Sequence, residues 1–217
     1  MKHLVHKELR LAVIPLTWCF LLAGLLVLVP GYPILISAFF MCLGIFYSFQ
    51  QGRETNDVLY TLLLPVRKRD VAAARYLTVC LVQGCGFLLI SLLTILRMTA
   101  LSRAEVYRSN PLMNASPVFL ALALLIFAAF NVCFLGGFFR TAYQIGKPFL
   151  AFSAVTLLLV FTGEALQHLP GLGFLQTPQG ERLGLQCLCL AAGAVIYAAA
   201  TALSCRRAMK RMEQIDF

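Results

Sequence analysis

The sequence predicts an all-α protein, a polytopic membrane helical bundle of six transmembrane helices with its N- and C-termini in the cytoplasm. Three observations carry that expectation. Of 217 residues, 60% are hydrophobic and only 12% are charged, about half the charged share of an ordinary soluble domain. A soluble core of this length cannot hide so much apolar surface, whereas a bilayer accepts it. The apolar residues also gather into six runs, each near the roughly 20 residues that cross a hydrocarbon core, and the basic residues fall unevenly between them.

Residues 1–10 come first, MKHLVHKELR, a short basic segment suited to an interfacial helix. The apolar run behind it is too long for a signal-peptide core and no Ala-x-Ala site follows, so the segment is expected to be retained. The spans are expected at about 11–29, 32–49, 76–96, 117–139, 148–166 and 185–205. Pro30-Gly31 joins the first two by a tight turn. Two connections lie on the far side. Thr99–Ser116 is polar, and Gly163–Gly184 carries Pro170, Gly171, Gly173, Pro178 and Gly180, which break long helices and suit short re-entrant or interfacial helices. Neither repeats nor low-complexity stretches divide the chain, so 1–217 reads as a single membrane domain.

Direction follows from Lys and Arg. Lys2, Lys7 and Arg10, then Arg53, Arg67, Lys68, Arg69 and Arg75, then Arg140 and Lys147, then Arg206, Arg207, Lys210 and Arg211 all share one side. These are fourteen of eighteen, and Arg97, Arg103, Arg108 and Arg182 take the other. The rich side is expected in the cytoplasm, which places the protein in the cell (inner) membrane as a multi-pass protein. The net charge of +9 is thereby read as topology, and no nucleic-acid partner is expected.

Several chemistries lack their residues. The sequence has no GxxxxGK[ST] phosphate loop, HExxH or GxSxG, and His3, His6 and His168 do not cluster with carboxylates. The eight cysteines sit in or beside apolar runs, where thiols serve as small apolar side chains, rather than in polar loops as a disulfide scaffold would place them. No catalytic residue, metal site or cofactor bound by this chain is expected. The Asn114-Ala115-Ser116 triplet has glycosylation spacing, a pattern common by chance.

The most informative stretch is the connection 50–75. Arg53–Leu64 can form a short amphipathic helix, with Val58, Leu59, Leu62 and Leu63 on one arc and Glu54, Asp57 and Thr61 on another. Pro65 ends it, Arg67-Lys68-Arg69 follows at the membrane surface, and Asp70 can cap the next helix. Such an element either floats among anionic headgroups or docks a protein. An anionic surface repels Glu54 and Asp57, which favours the second.

The stretch resembles the corresponding region of small permeases of the type-2 family of ABC exporters. The matching residues are Lys7-Glu8-Leu9-Arg10 before the first span, Glu54/Asp57 after the second, Leu64-Pro65-Val66-Arg67-Lys68-Arg69, and Ala74-Arg75-Tyr76 opening the third. They cover roughly residues 1–80; the later spans match in number and hydrophobicity. The most similar group is concerned with peptide export or peptide-antibiotic immunity, including exporters of phenol-soluble modulin-like peptides. The resemblance implies a coupling helix over this loop, with Arg53, Glu54, Asn56, Asp57, Tyr60, Thr61, Leu64, Pro65 and Arg67 docking a separate cytoplasmic ABC ATPase. Two ATPase copies would carry ATP and Mg. It also implies pairing with a second permease copy or homologue, and a peptide or lipid-like substrate drawn from the bilayer.

Polar residues inside spans are costly and informative. Gln83, Arg97, Asn131 and Glu164 are candidates for the translocation path or a gate. Gln83 and Asn131 equally suit interhelical hydrogen bonds that fix packing. Glu164 suits either an interfacial carboxylate reaching water or a gate contact with Arg97 or His168. A membrane scaffold that recruits a soluble partner through the 50–75 loop would use the same features without transport.

Overall fold

The computed structural model describes residues 2–101, 104–108, 112–141, 144–166, 168 and 182–214. Among these, every regular element is helical. Most of the expected Gly163–Gly184 interruption lies outside the described residues, as do parts of Thr99–Ser116.

The first expected span is not one helix. α1 (Lys2–Lys7) runs into a π-turn at Glu8–Ala12, and then the chain breaks at Val13-Ile14. The next segment, α2 (Pro15–Leu21) followed by a 3-10 helix at Leu22–Leu28, departs at 84°. Pro15 is the cause: it holds Ile14 extended, at ψ 155°, and is itself suited to a first helical position. The freed Ile14 N–H donates to Ser48 Oγ at 3.2 Å, and Thr17 donates to the Gly44 carbonyl at 2.7 Å. The break is thus stapled to the next helix. A seven-residue 3-10 run is long for its kind. Its greater rise stretches Pro15–Leu28 to about 25 Å, against about 21 Å for an all-α segment. Pro30 and Gly31, the latter at φ 72°, then give the pattern of a type II turn.

α3 (Ile36–Glu54) covers residues 36–49 of the second span, expected at 32–49, and continues through Gln50-Gln51-Gly52-Arg53-Glu54. A left-handed residue, Asn56 at φ 51°, separates it from α4 (Asp57–Leu62). The helix expected over Arg53–Leu64 is therefore two pieces: Glu54 belongs to the last turn of α3, and only Asp57–Leu62 forms α4. Asn is one of the few residues other than Gly that visit this conformation routinely. α5 (Lys68–Thr99) starts with Arg67 as its N-cap residue and no side-chain cap. Asp70, expected as the cap, sits instead in the first turn, where its charge still favours the helix dipole.

α6 (Glu105–Arg108) is a single turn. α7 (Pro117–Ala129) passes through a π-helix at Phe130–Leu135 into α8 (Gly136–Arg140). This composite rod is apolar on all sides and mostly buried, as such a helix must be. α5, α9 (Gly146–Leu166) and α10 (Leu183–Gln214) pack around it. Phe130, Phe134, Phe138 and Phe152 are fully or almost fully buried, and edge contacts such as Phe49–Phe138 at 5.1 Å and Phe130–Phe152 at 5.0 Å join α3 and α9 to the rod. The outer faces of α5, α9 and α10 carry exposed Leu88, Leu92, Leu157, Phe161, Leu188 and Val195, an apolar belt that only a bilayer or another membrane subunit can cover.

Among the described residues, four helices are long and apolar enough to cross a membrane: Lys68–Thr99, Pro117–Arg140, Gly146–Leu166 and Leu183–Gln214. The bent pair Lys2–Ala12 and Pro15–Leu28 makes a fifth if it is one span. α3 falls short because its apolar part stops at Phe49 and its last turn is polar. The connections nevertheless sort to two ends. One gathers α1, α4, the start of α5 and the end of α10, through Lys7–Asp57 and Arg69–Glu213. The other gathers Val27, Arg97, Tyr107, Met113 and Glu164.

Candidate functional site

At the end that holds both α1 and α4, four charges from three distant stretches meet. Lys7 Nζ donates to Asp57 Oδ1 at 2.5 Å and to Thr61 Oγ1 at 2.6 Å, and lies 3.3 Å from Glu8 Oε1. Arg75 Nη2 pairs with Asp57 Oδ2, and its Nε lies 3.0 Å from Glu8 Oε2. The Arg75 guanidinium also sits 5.3 Å from the centre of the Phe49 ring. Two cations and two anions leave the cluster neutral. Glu8 and Arg75 are only 2% and 4% exposed, so each depends on its partners; removing one partner of such a pair strands a buried charge at a cost of about 3–5 kcal/mol.

This cluster turns α4 round relative to the sequence expectation. Asp57 and Thr61 face inward and are spent on Lys7 and Arg75, so Asp57 is not presented outward. The outward face is apolar: Leu59, Tyr60, Leu63 and Leu64 are 50%, 64%, 76% and 52% exposed. Arg53, Glu54, Asn56, Pro65 and Arg67 are exposed around it, with Glu54 accepting from Gln50 Nε2 at 3.4 Å. Between the end of α3 and α4 opens a pocket of about 150 Å³, with Gly52, Asn56, Leu59 and Phe138 in its wall and Arg75 at its back.

Lys7, Glu8 and Arg75 were visible as parts of the family-like motifs, yet nothing in the spacing of 8, 57 and 75 announces a shared cluster. The only signal was that opposite charges flank apolar spans where charge is costly.

Gln83 and Asn131 sit in the middle of the bundle. Their amides bond reciprocally, Gln83 Nε2 to Asn131 Oδ1 at 3.1 Å and Asn131 Nδ2 to Gln83 Oε1 at 3.0 Å. Asn131 also donates to Thr201 at 2.9 Å, and Tyr197 donates to Gln83 Oε1 at 2.9 Å. The π-turn directs the Asn131 carbonyl to Ser204 at 3.0 Å, and Ser204 lies 2.8 Å from the Tyr76 hydroxyl. Gly136 makes room: a Cβ there would come within 2.9 Å of Ser204 Oγ. Gln83 is 1% exposed and Asn131 0%. Both lie inside the subunit, in a closed network tying α5, the π-helix and α10, rather than on an open wall. Tyr76 stands out in the sequence only as a member of the Ala74-Arg75-Tyr76 motif, and Tyr197, Thr201 and Ser204 do not stand out at all, because hydroxyls are common in membrane helices and carry little signal alone.

At the opposite end, Arg97 donates to the Val27 carbonyl at 2.6 Å and to Asn114 Oδ1 at 3.3 Å, and stands 4.6 Å from the Tyr107 ring. Glu164 Oε2 accepts from the Met113 N–H at 2.9 Å. Of the two gate contacts expected for Glu164, with Arg97 or with His168, the first is not formed: Arg97 closes the end of the 3-10 helix, and Glu164 holds the backbone of the connection that precedes α7. Arg97 satisfies the carbonyl that the terminal 3-10 turn leaves open. Among the described residues there is no group of three or more His, Cys, Asp or Glu side chains placed to hold a metal ion.

These features define a helical membrane protein whose short amphipathic α4 is held on an ionic mount at one end of the bundle. Residues 3–207 match the family described as ABC-2 family transporter protein, and the chain belongs to that family. It is therefore a membrane permease subunit of an ABC transporter, and an ABC ATPase partner is implied. No curated protein and no solved structure matches the chain.

Proposed function

We propose that this chain is the membrane half of an ATP-driven exporter and that α4 is its coupling helix. The carrying observation is the exposed apolar face of Leu59, Tyr60, Leu63 and Leu64 on a helix whose polar side is fastened to α1 and α5. A docked helix transmits motion only if it is fixed to the spans it must move, and Lys7, Arg75 and Asp57 supply that fixing. The chain crosses the membrane six times, with α2 plus its 3-10 extension and α3 as the first, antiparallel pair. The basic end, with both termini and α4, faces the cytoplasm of the cell membrane. Two permeases, identical or homologous, pair above two ATPase subunits that bind ATP and Mg, and the substrate is amphipathic or hydrophobic, with peptide as the class.

The test is co-purification with the ATPase and its stimulated turnover. Tyr60→Ala with Leu63→Asp should lose ATPase assembly while the permease still folds, and Glu54→Lys should weaken it only mildly, since Glu54 lies beside the apolar face. If assembly survives Tyr60→Ala/Leu63→Asp, α4 is not the docking element. Assembly without substrate-stimulated turnover, for any peptide or lipid-like substrate, would favour the scaffold function.

A further inference from the structure

The Lys2–Ala12 segment has a second face. Leu4 and Glu8 are buried towards the bundle, whereas Lys2, His3, His6 and Arg10 are exposed. Lys2, His6 and Arg10 are four residues apart in turn, so they form one strip. Glu8 is the only acidic residue in the segment, and its carboxylate is occupied by Lys7 and Arg75. The exposed strip is therefore basic with no opposing charge of its own. Exposed Leu11, Leu16 and Trp18 follow directly, at 70%, 44% and 43%, and mark where apolar surface begins on either side of the 84° break. A basic strip set sharply across the axis of an apolar segment has the geometry of a helix lying in the headgroup layer.

We propose that Lys2–Ala12 is a binding surface for anionic phospholipid headgroups, and that its engagement steadies α4 through Lys7. Charge complementarity selects the occupant: the strip offers cations at the level where lipid phosphates lie, beside side chains fit for acyl chains. The second half of the proposal rests on the ion cluster. Lys7 extends from the same segment to Asp57 and Thr61 at both ends of α4, so holding the segment in place holds α4. Neither half depends on transport or on the ATPase.

The experiment uses the full chain in nanodiscs of phosphatidylcholine alone or mixed with phosphatidylglycerol, with amide hydrogen exchange as the readout. Phosphatidylglycerol should slow exchange in residues 2–12 and 57–62, and high salt should remove the effect. Each cation brought to an anionic surface is worth about a fivefold change in partition, so Lys2→Gln/Arg10→Gln should abolish most of the lipid response at both places. Lys7→Gln should keep the response in residues 2–12 but lose it in 57–62. Lys7→Arg, which keeps a cation, should restore it and exclude misfolding as the cause. Equal exchange in the two lipid mixtures, or a full response in Lys2→Gln/Arg10→Gln, overturns the headgroup site. A response in 57–62 that survives Lys7→Gln overturns the link. Since no ATPase is present, the permease reading stands or falls separately.

Discussion

Arg75 illustrates how much one side chain can carry. It meets Glu8 and Asp57 together and lies against Phe49, so no smaller cation reproduces its geometry; a guanidinium addresses two carboxylates through a planar fork where an ammonium offers a point charge. Arg75→Ala is expected to destabilise the protein by about 3–5 kcal/mol, seen as a lower thermal midpoint in detergent, and Arg75→Lys should recover only part of the loss. Asp57→Lys should behave like a core mutation, because Asp57 is bound inside. If Asp57→Lys leaves the midpoint unchanged, the Lys7–Glu8–Asp57–Arg75 cluster is not formed. The residues themselves were legible as motif members in the sequence, but their roles were not. Amphipathic spacing placed Asp57 on a polar arc and thus outward, and the two cations that turned that arc inward come from residues about 50 and 18 positions away, beyond the reach of any helical period.

Among the elements, the π-turn in the central rod couples local winding to interhelical bonding. In the wide turn the Asn131 carbonyl accepts from the Gly136 N–H and from Ser204 as well, and the missing side chain at Gly136 leaves the space for it. Gly136→Ala should displace Ser204 and cost about 1–2 kcal/mol, the scale of one or two buried hydrogen bonds. Adding Ser204→Ala should not add its full separate cost, because both changes break the same bonds; thermal unfolding of the four variants measures the coupling. Strict additivity would mean that Gly136 acts elsewhere. Asn131→Leu should cost about 1–3 kcal/mol through the three side-chain bonds it deletes, a bound set by the modest value of interhelical bonds in membranes. Here the sequence was informative in part. Two amides in apolar spans signalled a polar tie, but the π-turn has no residue signature, and the hydroxyl partners were lost among ordinary serines and tyrosines. The broken first span was legible in principle at Pro15, yet a long apolar run masked it.

For the whole molecule, apolar length and basic asymmetry predicted a helical membrane bundle, and the structure and the family agree at that level. The six proposed crossings depend on the two N-terminal segments, one broken and stretched and one with a polar last turn, so hydropathy alone overstates their regularity. The topology is directly measurable. With native cysteines replaced, a cysteine at position 68 should react with a membrane-impermeant reagent only from the cytoplasm, and one at position 104 only from outside. The opposite pattern would reverse the assignment of the basic end. A five-crossing chain would instead put the C-terminus and α1 on opposite sides, in conflict with the Arg69–Glu213 and Lys7–Asp57 contacts that place both beside the 50–75 connection.

The ion cluster also sets an order of assembly during synthesis. Glu8 leaves the ribosome long before Arg75 does, and at about 5–20 residues per second it waits several seconds for its guanidinium. Over that interval a carboxylate destined for the interior has only Lys7 beside it, so the leading segment cannot seat until the third apolar stretch begins to insert. The Lys2–Ala12 segment is made before Arg75 and is expected to settle late, once the charge that completes its cluster arrives.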